Sequence, residues 1–209
     1  LPIYISSKSF SKPIDSSNMK PSNWVEIGTI IEDNYKNYDG FVILHGSDTM
    51  SYTASALSFM LENLSKPVIF TGSQLPIGDL RTDAKENLIT SIQIASLVEN
   101  NQPVIQEVGL YFEYKLYRAN RTTKINAEHF EAFDSPDYPP LIISGVNLSV
   151  NYDFLLKTKT NKKLVVHKIF EPNVLLLKLF PGINEKTINH ILTTPNLKGM
   201  IFETYGSGN

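Results

Sequence analysis

Apolar residues along the chain recur with two periods that take turns. Trp24, Ile27, Ile31 and Tyr35, spaced three, four and four apart, draw one stripe along a helix that Pro21 is suited to open. Gly40 to Leu44 follows as a short continuous apolar run and predicts a buried strand. From Thr49 to Leu64 the apolar residues Met50, Ala54, Leu57, Met60, Leu61 and Leu64 fall on more than one face. That predicts a buried helix, closed by Lys66-Pro67 before the strand Val68 to Thr71. A loop, Gly72 to Thr82, leads to a helix over Asp83 to Val98 with Leu88, Ile92 and Ala95 facing inward, and then to the strand Glu107 to Phe112. Repeated β-α order predicts an α/β fold: a mainly parallel sheet flanked by helices.

Between Tyr114 and Val150 the helical pattern lapses. A polar run, Arg118 to Asn126, precedes Phe130, Phe133 and turns at Pro136 and Pro139-Pro140, which predicts hairpins and loops. Residues 151–163 are polar and lysine-rich, as a surface connection would be. A second β-α-β pattern then runs through Val174–Leu179, a Pro181-Gly182 turn, Glu185–Leu192 and Met200–Glu203. The chain thus reads as a first α/β domain over 1–150, a connection over 151–171 and the start of a second, smaller α/β domain over 172–209. It opens inside a strand-like run, Pro2 to Ile5, and stops after another, Gly199 to Tyr205, so a fragment of a longer protein is expected.

The densest polar chemistry follows the Gly40–Leu44 strand, in His45-Gly46-Ser47-Asp48-Thr49-Met50. In open α/β sheets ligands gather where strand ends meet helix N-termini, because unpaired N–H groups and the positive helix pole point there. Two hydroxyls and a carboxylate at such a junction suit a small zwitterion. On its own, the same cluster also reads as Asp48 or Thr49 capping the next helix.

Composition removes several alternatives. The 209 residues are 42% hydrophobic and 19% charged, ordinary for a folded domain and against disorder. A net charge of −2, with no basic block longer than Lys162-Lys163, argues against a nucleic-acid partner. No apolar run approaches the ~20 residues needed to span a bilayer, so no membrane partner is expected. Zero cysteines exclude disulfides and thiolate chemistry and favour a cytoplasmic location. Glycosylation patterns at Asn63, Asn120 and Asn147 matter only in a secreted chain. The four histidines, at 45, 129, 167 and 190, are scattered, and no metal or phosphate-binding motif is present, so neither metal nor cofactor is expected. His45, alone at a strand end, reads as structural.

Ser47, Asp48 and Lys124 stand out together. A neutral lysine can activate a hydroxyl, but Lys124 taken alone, within Arg121-Thr122-Thr123-Lys124, reads as a solvated surface residue, because lysines are mostly exposed. The run Gly40 to Met50, with Leu57 to Leu64, Thr71-Gly72-Ser73-Gln74 and Tyr117 to Lys124, resembles the L-asparaginases, and within them the cytoplasmic type I branch. The similarity runs from Asp15-Ser16-Ser17 to Tyr205-Gly206-Ser207-Gly208-Asn209.

The resemblance implies hydrolysis of L-asparagine to L-aspartate and ammonia without metal or cofactor. It implies Ser47, Asp48 and Lys124 as catalytic residues, Ser47 standing where the family usually has threonine. The hydroxyls and backbone N–H groups of the Asp15, Ser16 and Ser17 loop would meet the substrate carboxylate, Asp48 would also hold its α-ammonium, and Gly72-Ser73-Gln74 would lie beside the pocket. The family's usual nucleophile, a threonine in a T-G-G-T-I segment, has no counterpart among these residues, so they are expected to be inactive alone. Ala119 stands where related sequences often carry glycine. L-Glutamine is an open second substrate, and shared sites in the family imply a homodimer or homotetramer. Two alternatives are an asparaginase-like subunit of a tRNA-dependent amidotransferase and an inactive amino-acid-binding homologue.

Overall fold

A computed structural model describes residues 2–157 and 162–208. The chain divides into two compact units, Leu1–Lys168 and Ile169–Asn209. Of the expected connection over 151–171, residues 158–161 lie outside the described residues.

In the first unit, Pro21 opens α1 (Pro21–Asn34), and the Lys20 N–H donates to Asn23 Oδ1 at 2.9 Å to close the first turn. There follow β1 (Phe41–Leu44), α2 (Met50–Met60), β2 (Val68–Thr71), α3 (Ala84–Ala95), β3 (Val108–Phe112), β4 (Lys115–Arg118), β5 (Ile142–Ser144) and β6 (Leu148–Val150). The sheet runs β1-β2-β3-β4-β5-β6. β1, β2 and β3 are parallel, with Leu44 beside Thr71 and Ile69 beside Gly109, and each later strand returns antiparallel. The α/β class holds, with the parallel half confined to the strands whose crossovers are helices and the hairpin region supplying the rest.

Every residue of β2 and β3 is buried, as expected of central parallel strands covered on both faces. Val68, Phe70, Val108 and Leu110 pack against α1 and α2 through Ile27, Ile31, Ala54 and Leu57. Ile69 and Tyr111 point the other way, into a core with Ile94, Leu116 and Ile142.

Three expected elements differ. The helix predicted to Leu64 stops at Met60, because Leu61-Glu62 pairs antiparallel with Val165-Val166 and Asn63 turns left-handed at φ 61°. The helix predicted to Val98 stops at Ala95; Val98-Glu99 instead pairs with Gln102-Pro103 around Asn100 and Asn101, both at positive φ. Its buried stripe is Asn87, Thr90, Ser91 and Ile94, with Leu88, Ile92 and Ala95 only half-buried. Pro2 to Ile5 form no strand: among the described residues nothing pairs with this segment, and Ile3, Tyr4 and Ile5 are exposed.

The second unit is the predicted β-α-β: β7 (Val174–Lys178) pairs parallel with β8 (Gly199–Glu203), and α4 (Glu185–Leu192) connects them. Asn184 caps α4 by accepting from the Thr187 N–H at 3.0 Å. Among the described residues no helix is long and apolar enough to cross a membrane.

Candidate active site

β1 ends at Leu44, but the His45 N–H still donates to Thr71 O at 2.9 Å, so the chain leaves the sheet only at Gly46. Two glycines make the crossing possible. A Cβ on Gly72 would stand 2.2 Å from His45 O, and one on Gly46 2.7 Å from Ser16 Oγ, closer than real contacts permit. The loop after β2 and the Asp15–Ser17 turn can therefore both lie against the 45–49 segment.

Neither polar residue at the start of α2 caps it. Thr49 occupies the N-cap position, yet its hydroxyl donates to Ser16 O at 2.6 Å, latching the Asp15–Ser17 turn in place. The Asp48 carboxylate accepts instead from Lys124 Nζ at 2.7 Å. Lys124 Nζ also donates to Ser47 Oγ at 3.0 Å. The structure thus brings Ser47, Asp48 and Lys124 together across 76 residues of chain. Lys124 is not a solvated surface residue, since its side chain is 16% exposed against 63% for Asp48.

Lys124 reaches the site on the segment that follows β4. After β4, Ala119 is buried, and the ribbon Thr123-Lys124 pairs with Phe133-Asp134. Phe133 packs on Phe112 of β3 with ring centroids 5.0 Å apart, which ties the ribbon to the central sheet. Arg118, at the end of β4, forms an ion pair with Glu107 at 2.6 Å and donates to Phe154 O at 2.7 Å. This clamp has no sequence signature, because its two members are eleven residues apart across a hairpin.

Gln74 completes the cluster. Its Oε1 accepts from Ser47 Oγ at 3.2 Å, while its Nε2 donates to Ala127 O at 3.2 Å and His129 O at 2.9 Å. The Thr71-Gly72-Ser73-Gln74 segment therefore does lie beside Ser47. Asp15 Oδ1 accepts from the N–H of Ser17 at 2.9 Å and from its hydroxyl at 2.8 Å. The Ser17 N–H, and then its hydroxyl, hold the Asp15 carboxyl below the usual carboxylate range.

His45 faces away from this chemistry. Its Nδ1 lies 2.7 Å from Gly46 O and its Nε2 2.9 Å from Thr53 Oγ1, and that oxygen accepts from Trp24 Nε1 at 3.0 Å. Burial lowers its pKa from 6.5, opposed by the Gly46 carbonyl. Among the described residues no group of acidic residues, histidines or cysteines could hold a metal ion.

These features place the chain in one class. Residues 3–155 match the family model of the asparaginase N-terminal domain, and the chain belongs to the asparaginase family. It is 45% identical over 196 residues to L-asparaginase 1 of Escherichia coli K12, a match that takes in 94% of this chain and 56% of that protein. It is 48% identical over 195 residues to the mouse 60 kDa lysophospholipase, covering 93% of this chain and 34% of that one. Among solved structures, L-asparaginase I from Vibrio cholerae superposes with a TM-score of 0.86 at 44% identity, over 96% of this chain and 59% of that protein. The chain spans 56% of the Escherichia coli relative and 34% of the mouse relative.

Proposed function

We propose that the protein is an amidohydrolase that converts L-asparagine to L-aspartate and ammonia, with Ser47, Asp48 and Lys124 as catalytic residues. The observation that carries this reading is Lys124 Nζ standing 3.0 Å from Ser47 Oγ and 2.7 Å from Asp48 Oδ1. In the proposed reaction a hydroxyl oxygen adds to the side-chain amide carbon of asparagine. The C–N bond then breaks as a proton passes to nitrogen, ammonia leaves, and water hydrolyses the resulting ester to aspartate. The family resemblance gives the attacking oxygen to a threonine, whose proton Ser47 and Lys124 would handle. In its neutral form the lysine amine accepts a proton; as an ammonium it stabilises negative charge developing on oxygen.

Ser47 in place of threonine keeps the oxygen and loses the methyl that restricts χ1. Asp48, with its carboxylate open to solvent, is suited to hold the substrate α-ammonium. Ser16 and Ser17 hold the α-carboxylate; since Asp15 engages both donors of Ser17, binding exchanges one of those bonds for the substrate. A cytoplasmic location, supported by the absence of cysteine, and a homodimer or homotetramer, supported by the family resemblance, belong to the same proposal.

Lys124→Met in the full-length protein tests it. The substitution keeps length and apolar stem but removes the amine, so ammonia release from asparagine should fall by roughly 10²–10⁴-fold while the melting temperature holds. Near-normal turnover would refute the assignment. L-Glutamine assayed in parallel distinguishes the amidotransferase-type reading, which requires glutamine to be the better ammonia donor.

A further inference from the structure

The inner face of α3 is polar where a helix packed on a sheet is ordinarily apolar. Asn87 and Ser91 are fully buried, and Asp83, at the N-cap position, is 9% exposed. Asp83 forms no side-chain cap on its own helix. Its carboxylate is turned to the loop after β2, where Oδ1 accepts from the backbone N–H of Gln74 at 3.1 Å and of Leu75 at 3.2 Å. Oδ2 accepts from Gln74 N–H at 3.0 Å and from Asn87 Nδ2 at 3.0 Å. Asn87 Nδ2 also donates to Gly72 O at 3.0 Å, and Asn87 Oδ1 accepts from the Glu113 N–H at 3.3 Å.

Burying a carboxylate is costly unless its oxygens are filled by donors, and an exposed Ser or Asn would cap a helix without that cost. What Asp83 gains by burial is a hold on the loop backbone. Pinned there, Gln74 sends its side chain to Ser47 Oγ on one side and to the carbonyls of Ala127 and His129 on the other, three and five residues beyond Lys124. One loop residue thus touches the serine and the segment that carries the lysine. Thr82, next to Asp83, secures the far end of the loop by donating to Leu75 O at 3.0 Å.

We propose that Asp83, seated by Asn87, is a positioning residue that sets the Ser47–Lys124 geometry through the backbone of Gln74. This inference rests on the hydrolase reading above. The test is a double-mutant cycle in the full-length protein with Asp83→Asn, Gln74→Ala and the pair. Asp83→Asn puts an amide where the carboxylate met three N–H groups, and a misplacement of this kind is expected to lower kcat for asparagine by about 10- to 100-fold with KM changed less. If Asp83 acts through Gln74, the double variant is no slower than the worse single one. Losses that multiply would overturn the proposal, because a merely structural role costs the same in both backgrounds.

Amide hydrogen exchange gives a reading independent of turnover. Gln74 and Leu75 amides should lose protection by at least about 10-fold in Asp83→Asn while Val68 to Phe70 keep theirs; retained protection at 74 and 75 would also overturn the proposal. A parent protein that does not hydrolyse asparagine defeats the hydrolase reading, and the exchange experiment still decides whether Asp83 holds the loop. Asp83→Ser keeps one acceptor without the charge; it should give an intermediate loss in both measurements and replaces Asp83→Asn if that variant does not fold.

Discussion

Burial of His45 behind the turn that carries Ser47 leaves the ring neutral, and its neighbours dictate the tautomer. A carbonyl only accepts, so Nδ1–H donates to Gly46 O; Nε2 then accepts from the Thr53 hydroxyl, whose oxygen takes the Trp24 N–H. The pKa is lowered by desolvation from 6.5, so between that value and the folded one the unfolded chain binds more protons than the native protein. The stability contributed by neutral His45 is therefore complete above pH 6.5 and is lost as pH falls towards the lowered folded value. His45→Gln should abolish this component. Melting temperatures measured from about pH 7 down to about pH 5 should decline less steeply for the variant than for the parent. Parallel declines would mean that His45 titrates alike in the folded and unfolded states.

Elements are held to the site by contacts that cross hairpins. The Glu107–Arg118 pair locks the end of β4, from which the chain runs through Ala119 to Lys124, and Glu107 also accepts from the Leu156 N–H at 2.8 Å. Glu107 is 4% exposed and Arg118 12%, so removing one partner strands a charge out of water. Glu107→Ala is predicted to destabilise the protein by about 3–5 kcal/mol, read as a lower urea midpoint at unchanged slope. A loss under about 1 kcal/mol would place the pair with ordinary surface bridges.

At the scale of the whole molecule, the two units differ in how much core each owns. β2 and β3 are buried along their full length between two apolar layers. Among the described residues β7 and β8 form a two-stranded sheet, and Leu176 and Ile201 are 64% and 59% exposed. Amide exchange followed by mass spectrometry should therefore open Val174–Lys178 and Gly199–Glu203 long before Val68–Thr71 and Val108–Phe112. Equal protection in the two regions would contradict this ordering.

What the sequence determined by itself is what local rules govern. Apolar runs marked the strands within Gly40–Leu44, Val68–Thr71 and Glu107–Phe112, the three-four-four spacing of Trp24, Ile27, Ile31 and Tyr35 marked the helix that Pro21 opens, and the Gly-Ser-Asp-Thr cluster marked the junction where Lys124 arrives. The asparaginase resemblance was legible in the same motifs. Only the tertiary structure decided where helices stop: Leu61-Glu62 leaves α2 to pair with Val165-Val166, a partner about a hundred residues away that periodicity cannot register. It also decided that Thr49 latches the Asp15–Ser17 turn instead of capping, and that the buried stripe of α3 is polar. Those outcomes depend on which donor meets which acceptor across the folded chain, and a side chain's type does not specify its partner until packing has removed the alternatives.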